Sequence, residues 1–356
     1  APGAGAILST RRLARVLEYA PQDLYVRVEA GMTLAELEAL AARDRLWCPL
    51  THPWREATVG GVVASGWNGP ARWRFGAIRD LVLGGAVVLP DGRNVRIGGK
   101  VVKNVAGYDM TKLHVGALGT LGVLTEVNLK LAALPAAHAA VAAVGATAEA
   151  ALDVALRAFR QSLVASSVLV FGGDRGGLPV PTEGAATVVV TAAGHPADVA
   201  EELRLARGVV EGASRPRDLD GTGEDAWSEW HRRRPAGGVL LRIGVPNARL
   251  ADVLAHPALE SAPYVADVTA GIAWADCPPS VAAAAVGDLQ AIARAAGGYA
   301  AVLRAPPALL AQVGASGHVP TLATYMERLR GRWDPNRILN PGRFDFAPSG
   351  PRTNPE

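Results

Sequence analysis

Two glycine-rich segments in the first third of the chain have the composition of a ligand-binding backbone. The first runs from Ala57 to Gly69 and reads ATVGGVVASGWNG, and the second runs from Gly116 to Gly122 and reads GALGTLG. Glycines let the backbone approach a ligand closely and adopt positive φ, and successive N–H groups in such turns form concavities for anions. Either segment alone could equally be a tight turn between strands, but together they indicate a diphosphate ligand.

Other motifs that would assign a chemistry are absent from the sequence. No G-x-x-x-x-G-K-[ST] string occurs, and the spacing of Gly116, Gly119 and Gly122 differs from the G-x-G-x-x-G of a Rossmann turn. Ser65 and Ser316 lack the flanking glycines of a hydrolase nucleophile elbow. The seven histidines show no spacing typical of metal ligands, so the sequence predicts no metal site.

Length and composition predict a two-domain globular protein. A chain of 356 residues exceeds the roughly 250–300 residues at which one hydrophobic core stops growing. The net charge of +3 is too small for the clustered basic excess of a nucleic-acid-binding protein. No apolar run reaches the about 18 residues that a membrane-spanning helix needs. Cys48 and Cys277 lie far apart, which excludes an iron–sulfur cluster held by this chain.

The first third of the chain alternates strand and helix signals. Residues 24–29 form a β-rich run, and Thr33 with Glu36 three residues later forms a capping box ahead of leucines on one helical face. The turn residues 90–92 separate two β-rich runs and predict a hairpin. Strict alternation over 123–131 predicts a half-buried strand.

After Pro135 the sequence changes to alanine-rich strands and helices, which indicates a second, α+β domain. The predicted strands are 141–145, 167–171, 187–191, 239–243, 265–269 and 299–303, and the predicted helices are about 147–161, 196–211 and 279–296. Residues 172–184 and 215–223 are predicted to be loops, and no internal repeat is evident.

Six strings carry a resemblance to a known family. They are ATVGG at 57–61, RDLVLG at 79–84, LPDG at 89–92, KNVAGYD at 103–109, GALGTLG at 116–122, and DP with ILNPGR within 334–343. With them the chain resembles the FAD-binding family of vanillyl-alcohol oxidase and p-cresol methylhydroxylase. Within that family it most resembles the smaller FAD-binding subunit of bacterial glycolate oxidase, to which the string KNVAGYD is particularly specific.

The resemblance implies an α+β fold with a PCMH-type FAD-binding domain at 1–135 and a ferredoxin-like α+β cap domain at 136–320. The C-terminal segment 321–356 would return to the FAD-binding domain. The flavin would lie between domain and cap. It would be non-covalent FAD, because no matched position offers a residue for covalent attachment.

The resemblance also implies which residues contact the cofactor. The loop from Gly60 to Gly69 would line the diphosphate and the flavin, the turn at 119–123 would meet the diphosphate and the adenosine end, and Asn340 to Arg343 would close the site. The implied cofactor-binding residues are Thr58, Val59, Gly60, Gly61, Ala64, Ser65, Gly66, Asn68, Gly69, Gly116, Gly119, Thr120, Gly122, Val123, Asn340 and Arg343.

Two further groups of residues are less specific. Lys103, Asn104, Tyr108 and Asp109 match the family string, and their role is open between the cofactor site and a structural turn in which Asp109 caps a helix. The arginines of the segment that follows the first glycine cluster are expected on a solvated face. They are Arg72, Arg74 and Arg79.

The chain departs from the family pattern at two places. The family carries a helix, a strand and a glycine-rich diphosphate loop upstream of the string that matches residues 6–10, so we expect an N-terminally truncated FAD-binding domain: either the sequence begins after that loop, or the protein has lost FAD affinity. Relatives that oxidise D-2-hydroxy acids carry further Asp, Asn and His after a Gly-His string. Here Gly317-His318 is followed by Val319, which leaves the catalytic residues unknown.

The predicted function is that of an FAD-binding subunit of a glycolate oxidase-type complex. A homologous catalytic flavoprotein subunit would oxidise the small 2-hydroxy acid, an iron–sulfur subunit would pass the electrons on, and catalysis by this chain alone is not expected. One alternative is a self-sufficient FAD-dependent D-2-hydroxy-acid dehydrogenase, and another is a flavin-free structural subunit. Since the first residues lack a signal peptide's basic and apolar stretches, we expect a cytoplasmic protein or one held at the inner membrane by its partners.

Overall fold

Antiparallel sheets organise the chain, which a computed structural model describes over residues 5–99, 108–234, 237–281, 283–313 and 322–343. The first sheet contains Val16–Ala20 (β1), Tyr25–Glu29 (β2), Val82–Val88 (β4), Asn94–Gly98 (β5) and Val123–Lys130 (β6), with Leu46–Trp47 (β3) and Ala132–Ala133 (β7) paired separately. Its strand order is β1-β2-β6-β4-β5. The predicted hairpin is the β4–β5 pair, and the alternating run is β6, so both predictions are confirmed.

Short helices connect these strands. They are Leu34–Ala42 (α1), Val59–Ser65 (α2), Arg72–Phe75 (α3), Ile78–Leu81 (α4) and Thr111–His114 (α5). The predicted capping box begins α1: the Thr33 hydroxyl accepts from the Glu36 N–H at 3.2 Å, and the Glu36 carboxylate accepts from the Thr33 N–H at 2.8 Å. Leu34 and Leu37 of α1 are buried beneath the sheet with Val127 of β6, which gives this part of the chain its own core.

The second sheet is larger and has helices on its faces. Its strands are Ala137–Gly145 (β8), Ala165–Gly172 (β9), Ala186–Gly194 (β10), Arg217–Asp218 (β11), Val239–Gly244 (β12), Tyr264–Asp267 (β13), Ile272–Cys277 (β14) and Tyr299–Arg304 (β15). The helices of this part are Ala148–Gln161 (α6), Pro196–Val210 (α7), Gly223–Arg232 (α8), Leu250–Leu254 (α9), Pro257–Glu260 (α10), Ala283–Ala295 (α11), Pro307–Val313 (α12) and Ala323–Trp333 (α13).

This sheet repeats one topology twice. The order β8-α6-β9-β10-α7-β11 is a β-α-β-β-α-β unit, and β12, α9 with α10, β13, β14, α11 and β15 form a second. The sheet order β11-β8-β10-β9-β13-β14-β12-β15 places both units in the ferredoxin-like arrangement, joined by antiparallel pairing of β9 with β13. The predicted ferredoxin-like α+β class is confirmed, and the cap contains two such units side by side.

The duplication was not visible in the sequence because its two halves differ in their details. Helix α6 has 14 residues, whereas its counterpart is divided into α9 with 5 and α10 with 4. Strand β11 has only 2 residues, and β14 was not predicted. Helix α8 was also missed. Its signal was present, since the Thr222 hydroxyl accepts from the Asp225 N–H at 3.1 Å in a capping box.

The predicted division of the chain is only partly covered by the structure. Strand β8 begins at Ala137, close to the boundary predicted at 135, whereas the boundary predicted at 320 lies outside the described residues. The division into domains therefore remains a prediction. In the part of the chain that the structure describes, no helix is both long enough and apolar enough to cross a bilayer.

An aromatic cluster joins the two sheets. His231 of α8 lies with its ring centroid 4.6 Å from that of Trp227, 4.9 Å from Trp230 and 5.4 Å from Trp274, all in the cap. From the other side Trp67, which lies within the first glycine-rich segment just after Gly66 at the end of α2, reaches His231 with ring centroids 5.4 Å apart. The Arg232 guanidinium donates to the Pro53 carbonyl at 3.2 Å across the same interface. The apolar faces of α8 and residues 52–67 therefore pack directly on each other.

The imidazole of His231 is held neutral in this cluster. It is 3% exposed, and neither ring nitrogen has a hydrogen-bond partner among the described residues. Burial lowers its pKa well below the ordinary value, and the charges of His52 and Arg234 lower it further. A histidine with a lowered folded pKa takes up its proton on unfolding. Its contribution to stability is therefore complete above about pH 6.5 and is lost as the pH falls below that value.

We predict that His231→Phe reduces the loss of stability in acid, because phenylalanine keeps a ring in the cluster but takes up no proton. Between about pH 7.5 and about pH 5.5 the thermal midpoint of the wild type should fall by about 2 °C more than that of the variant. His138→Phe, which changes an exposed histidine of β8, is the control and should behave as the wild type. Burial raises the pKa of Asp267 to about 7, but this residue is present in all three proteins, so its effect on the midpoint cancels in the comparison. Equal losses in all three proteins would contradict the prediction.

Candidate functional site

The first glycine cluster is a helix rather than the loop that the sequence predicted. The Thr58 hydroxyl accepts from the Gly61 N–H at 3.2 Å and caps α2, which runs over Val59–Ser65. Gly66 ends the helix in the left-handed region at φ +62°. The loop that the resemblance implied over 60–69 is therefore wrong for residues 60–65, where the threonine cap and the valines that follow favour a short helix.

The two glycines at the start of α2 face different surroundings. A Cβ on Gly60 would lie 2.7 Å from the Cβ of Ala30, so close packing on β2 and its following turn explains that glycine. A Cβ on Gly61 would meet only the Thr58 hydroxyl, at 3.0 Å, and Gly61 is exposed. A glycine inside a helix costs about 1 kcal/mol relative to alanine. Protein packing does not account for this cost at Gly61, whereas close approach of a ligand would.

The second glycine cluster is bonded to the end of this helix. The Gly116 N–H donates to the Val63 carbonyl at 3.0 Å, and the Leu118 N–H donates to the Ala64 carbonyl at 2.7 Å. A Cβ on Gly66 would lie 2.9 Å from the Gly116 Cα, so the two backbones touch where neither residue has a side chain. The structure thus brings together the two segments that the sequence assigned to one ligand.

The C-terminal segment returns to the same place. The Asn340 side-chain amide donates to the Leu118 carbonyl at 2.7 Å, and a Cβ on Gly119 would lie 2.7 Å from that amide nitrogen. Gly119 has φ +67°, which a side chain would resist. Asn340 was predicted to close the site from the returning segment, and it lies against the predicted turn.

Two buried side chains hold the returning segment in position. Asp334 is fully buried, and its carboxylate accepts from the N–H groups of Ile338 at 3.0 Å and Leu339 at 2.9 Å. The guanidinium of Arg330, on α13, donates to the Arg343 carbonyl at 2.6 Å. Arg343 thus takes part in this contact through its main-chain carbonyl, and the residue itself is exposed.

Several predicted residues are packed inside the protein. Gly69 would place a Cβ 2.6 Å from the Cβ of Thr51, and Gly122 would place one 2.3 Å from a methyl group of Val87. Val59 is fully buried, and Thr120 is 3% exposed with its hydroxyl donating to Ala117. Val123 begins β6 and is half-buried. Close packing inside the protein explains the residue types at these positions. Contact of their backbone groups with FAD stays a prediction.

The remaining predicted residues form the open side of the site. Ser65 is exposed, and Ala64 is half-buried beside the second cluster. The Asn68 amide donates to the Gly66 carbonyl at 3.0 Å and accepts from the Ile78 N–H at 2.8 Å, so it shapes the segment that follows α2.

Lys103 and Asn104 lie outside the described residues. Asp109 pairs with Lys112 at 2.7 Å at the start of α5, and that bond, with nearby N–H groups, lowers its pKa.

The structure reveals further residues behind the second cluster. The buried His114 ring stacks on Trp333, with centroids 6.0 Å apart, and so joins α5 to α13. Burial lowers the pKa of His114, which favours the neutral imidazole. Leu118 adopts φ +51°, a value that a sequence pattern does not indicate for leucine. Neither residue has a local sequence signal, because each depends on a segment distant in the chain.

Comparison with known proteins gives the family. The family model described as FAD binding domain matches residues 2–98. Glycolate oxidase subunit GlcE of Escherichia coli (strain K12) is 30% identical over 96% of this chain and 88% of that protein. The chain therefore belongs to the family of FAD-binding oxidoreductases that includes this glycolate oxidase subunit, and its cofactor is FAD.

Other curated relatives match less than half of the chain. The mitochondrial cytochrome D-lactate dehydrogenase of Arabidopsis thaliana is 36% identical over 47% of this chain and 30% of its own length. Glycolate oxidase subunit GlcD of Bacillus subtilis (strain 168) is 36% identical over 37% of this chain and 28% of its own length. A solved alkyldihydroxyacetonephosphate synthase aligns with a TM-score of 0.65 at 16% identity, over 93% of this chain and 66% of that one, which supports the fold alone.

The glycine positions would allow FAD to approach the protein main chain closely. A Cβ on Gly61 would meet only the Thr58 hydroxyl, at 3.0 Å, and a Cβ on Gly116 would meet only the Gly66 Cα, at 3.8 Å, although the φ of +77° at Gly116 itself favours glycine. Gly61 lies near the start of α2, and Gly116 lies where the second cluster meets the end of that helix. Main-chain surface at both positions is therefore free of side chains, as the diphosphate and sugar of a dinucleotide need.

We predict that Gly61→Ala lowers FAD occupancy several-fold while the thermal midpoint stays within about 2 °C of the wild type. Alanine favours the helix by about 1 kcal/mol, but its methyl group would occupy the open side of α2. The flavin-to-protein absorbance ratio and the midpoint are measured on the same preparation. Gly208→Ala, at an exposed glycine of α7 with no neighbour within 4 Å, is the matched control and should leave FAD content unchanged. Full occupancy in Gly61→Ala would remove Gly61 from the site.

Proposed function

We propose that this protein is the FAD-binding subunit of a glycolate oxidase-type complex that oxidises a small 2-hydroxy acid. The observation that carries the proposal is the junction of α2, the turn at 116–119 and Asn340, three separate segments that meet at residues predicted to contact FAD. Similarity to the glycolate oxidase subunit over 96% of the chain supports the subunit role. The D-lactate dehydrogenase relatives support a hydroxy acid as the substrate class.

In this proposal the chain binds and orients FAD mainly through main-chain groups. Bound FAD supplies a two-electron acceptor for the hydroxy acid, and an iron–sulfur partner passes the electrons on. The Gly61 and Gly116 surfaces hold the cofactor, and Asn340 fixes the turn around Gly119. The cap packs through its aromatic cluster around His231 against Trp67, which follows α2. A homologous flavoprotein subunit carries out the substrate oxidation.

The second candidate is oxidation by this chain without a partner. Removing a hydride from a hydroxy acid needs a base within hydrogen-bond reach and a cationic group for the carboxylate. His318, the lone histidine of the corresponding string, lies outside the described residues. No group of three or more His, Cys, Asp or Glu residues that could hold a metal occurs in the described part of the chain. The experiment below distinguishes the two candidates.

We predict that the purified chain alone does not reduce a dye with glycolate or D-lactate, and that adding the flavoprotein and iron–sulfur partner subunits restores oxidation. Turnover by the isolated chain above about 1 per second, the lower end of the ordinary enzyme range, would favour the self-sufficient dehydrogenase. A colourless chain that is still required for assembly, but adds no flavin to the complex, would favour the structural subunit.

We also predict that the FAD of this chain is not covalently attached. Acid precipitation of the purified protein should leave the yellow chromophore in the supernatant, because hydrogen bonds from a denatured backbone cannot retain it. The same treatment of the Gly61→Ala variant controls for free flavin carried through purification. Flavin that remains in the washed pellet of the wild type would contradict this prediction.

A further inference from the structure

A cleft separates α3 from the hairpin that joins β13 to β14. Its volume is about 480 Å³, and its lining residues are Arg72, Trp73, Gly76, Ala77, Asp80, Thr269 and Ala270. The FAD-binding part of the chain contributes one wall, and the cap contributes the other. The volume lies within the range of about 300–1,000 Å³ typical of small-molecule sites. The cleft takes no part in the contacts that hold the two glycine clusters together.

The cationic group of this cleft is Arg72. It was expected on a solvated face, and Arg74 and Arg79 are indeed exposed, but Arg72 is half-buried. No carboxylate of the described residues pairs with its guanidinium, whereas Arg27 pairs with Glu126 at 2.9 Å. A partly desolvated guanidinium favours a planar anion that accepts two parallel hydrogen bonds. Arg72 therefore presents an open carboxylate-binding group to the cleft.

The opposite wall presents hydrogen-bond acceptors. The Thr269 hydroxyl donates to Oδ1 of Asp267 at 2.5 Å, and this carboxyl oxygen also accepts from the Thr269 N–H at 3.0 Å. With its proton committed, the Thr269 oxygen can only accept from a ligand. On the same side as Arg72, Asp80, which accepts from the Ala77 N–H at 3.0 Å, adds carboxylate acceptors to the lining of the cleft. A ligand that satisfies this wall must carry a hydroxyl or another donor.

We propose that this cleft binds a small hydroxy-carboxylate, with its carboxylate on Arg72 and its hydroxyl donating to Thr269 or Asp80. The half-exposed indole of Trp73, 52% exposed, forms an apolar wall for the carbon atoms of the ligand. A doubly charged anion such as phosphate is disfavoured because the carboxylate of Asp80 lies in the same cleft. The cleft therefore favours a monoanion whose carboxylate accepts hydrogen bonds and whose hydroxyl donates one.

The cleft is connected to the candidate flavin site. The Asn68 side chain, predicted to lie at the flavin, accepts from the Ile78 N–H, and Gly76 and Ala77 of the cleft precede that residue directly. The choice of 2-hydroxy acids among hydroxy-carboxylates rests on the proposed function. Binding itself needs no turnover, so the cleft can hold the hydroxy acid even where a partner subunit oxidises it.

The test is calorimetric titration of the full chain, as purified with its flavin, with glycolate, acetate and inorganic phosphate. Glycolate should bind at least about 10-fold more tightly than acetate, which lacks the hydroxyl, and more tightly than phosphate. Arg72→Gln should weaken glycolate binding at least about 10-fold, and Arg72→Lys should restore part of it. Arg74→Gln removes an equal charge from the same helix outside the cleft and should leave the affinity unchanged.

Three results would overturn the proposal: no saturable glycolate binding by the wild type, equal affinity of the wild type and Arg72→Gln, or phosphate binding as tight as that of glycolate. Circular dichroism and the thermal midpoint verify that each variant is folded, and the wild-type titration stands without any variant. Flavin content and oxidation by the assembled complex are measured on the same preparations. Glycolate binding without flavin or oxidation would reject the proposed function alone, whereas active complex without glycolate binding to this chain would reject the cleft alone.

Discussion

The site depends on two backbone hydrogen bonds between segments about 50 residues apart in the chain. The N–H groups of Gly116 and Leu118 donate to carbonyls at the end of α2, and this close approach requires glycine at position 66, where a Cβ would lie 2.9 Å from the Gly116 Cα. A carbonyl at a helix end lacks a partner within the helix and needs one from elsewhere. The same contact that completes α2 therefore positions the second glycine cluster against the first.

The returning C-terminal segment is fixed by this junction and adds to it. Asn340 donates to the Leu118 carbonyl, and the N–H of the same leucine donates to α2, so Leu118 links both segments. The buried carboxylate of Asp334 orders the turn that carries Asn340, and charge-assisted hydrogen bonds of this kind are strong. The second cluster thus bonds both to α2 and to the returning segment, and loss of either would leave polar groups of this cluster without a partner.

The cap contributes a second kind of constraint, based on apolar packing. Its duplicated ferredoxin-like sheet places α8 on the face toward the first glycine cluster, and the Trp67 ring packs there against His231. His231 is buried and neutral in this contact, so protonation of its ring opposes the contact. The interface beside the candidate cofactor site therefore combines main-chain hydrogen bonds in one region with a pH-sensitive aromatic contact in another. The hydroxy-carboxylate cleft lies along the same boundary.

The sequence by itself determined several local elements and the family. The Thr33 capping box, the hairpin around 90–92 and the alternation of β6 depend on neighbouring residues, so their patterns were sufficient. Only the tertiary structure decided the function of individual glycines. Gly60 and Gly69 are explained by close packing and Gly61 is not, a distinction set by residues distant in the chain. The doubled cap was likewise hidden, because strand pairing repeats a topology without requiring a repeat of residue types.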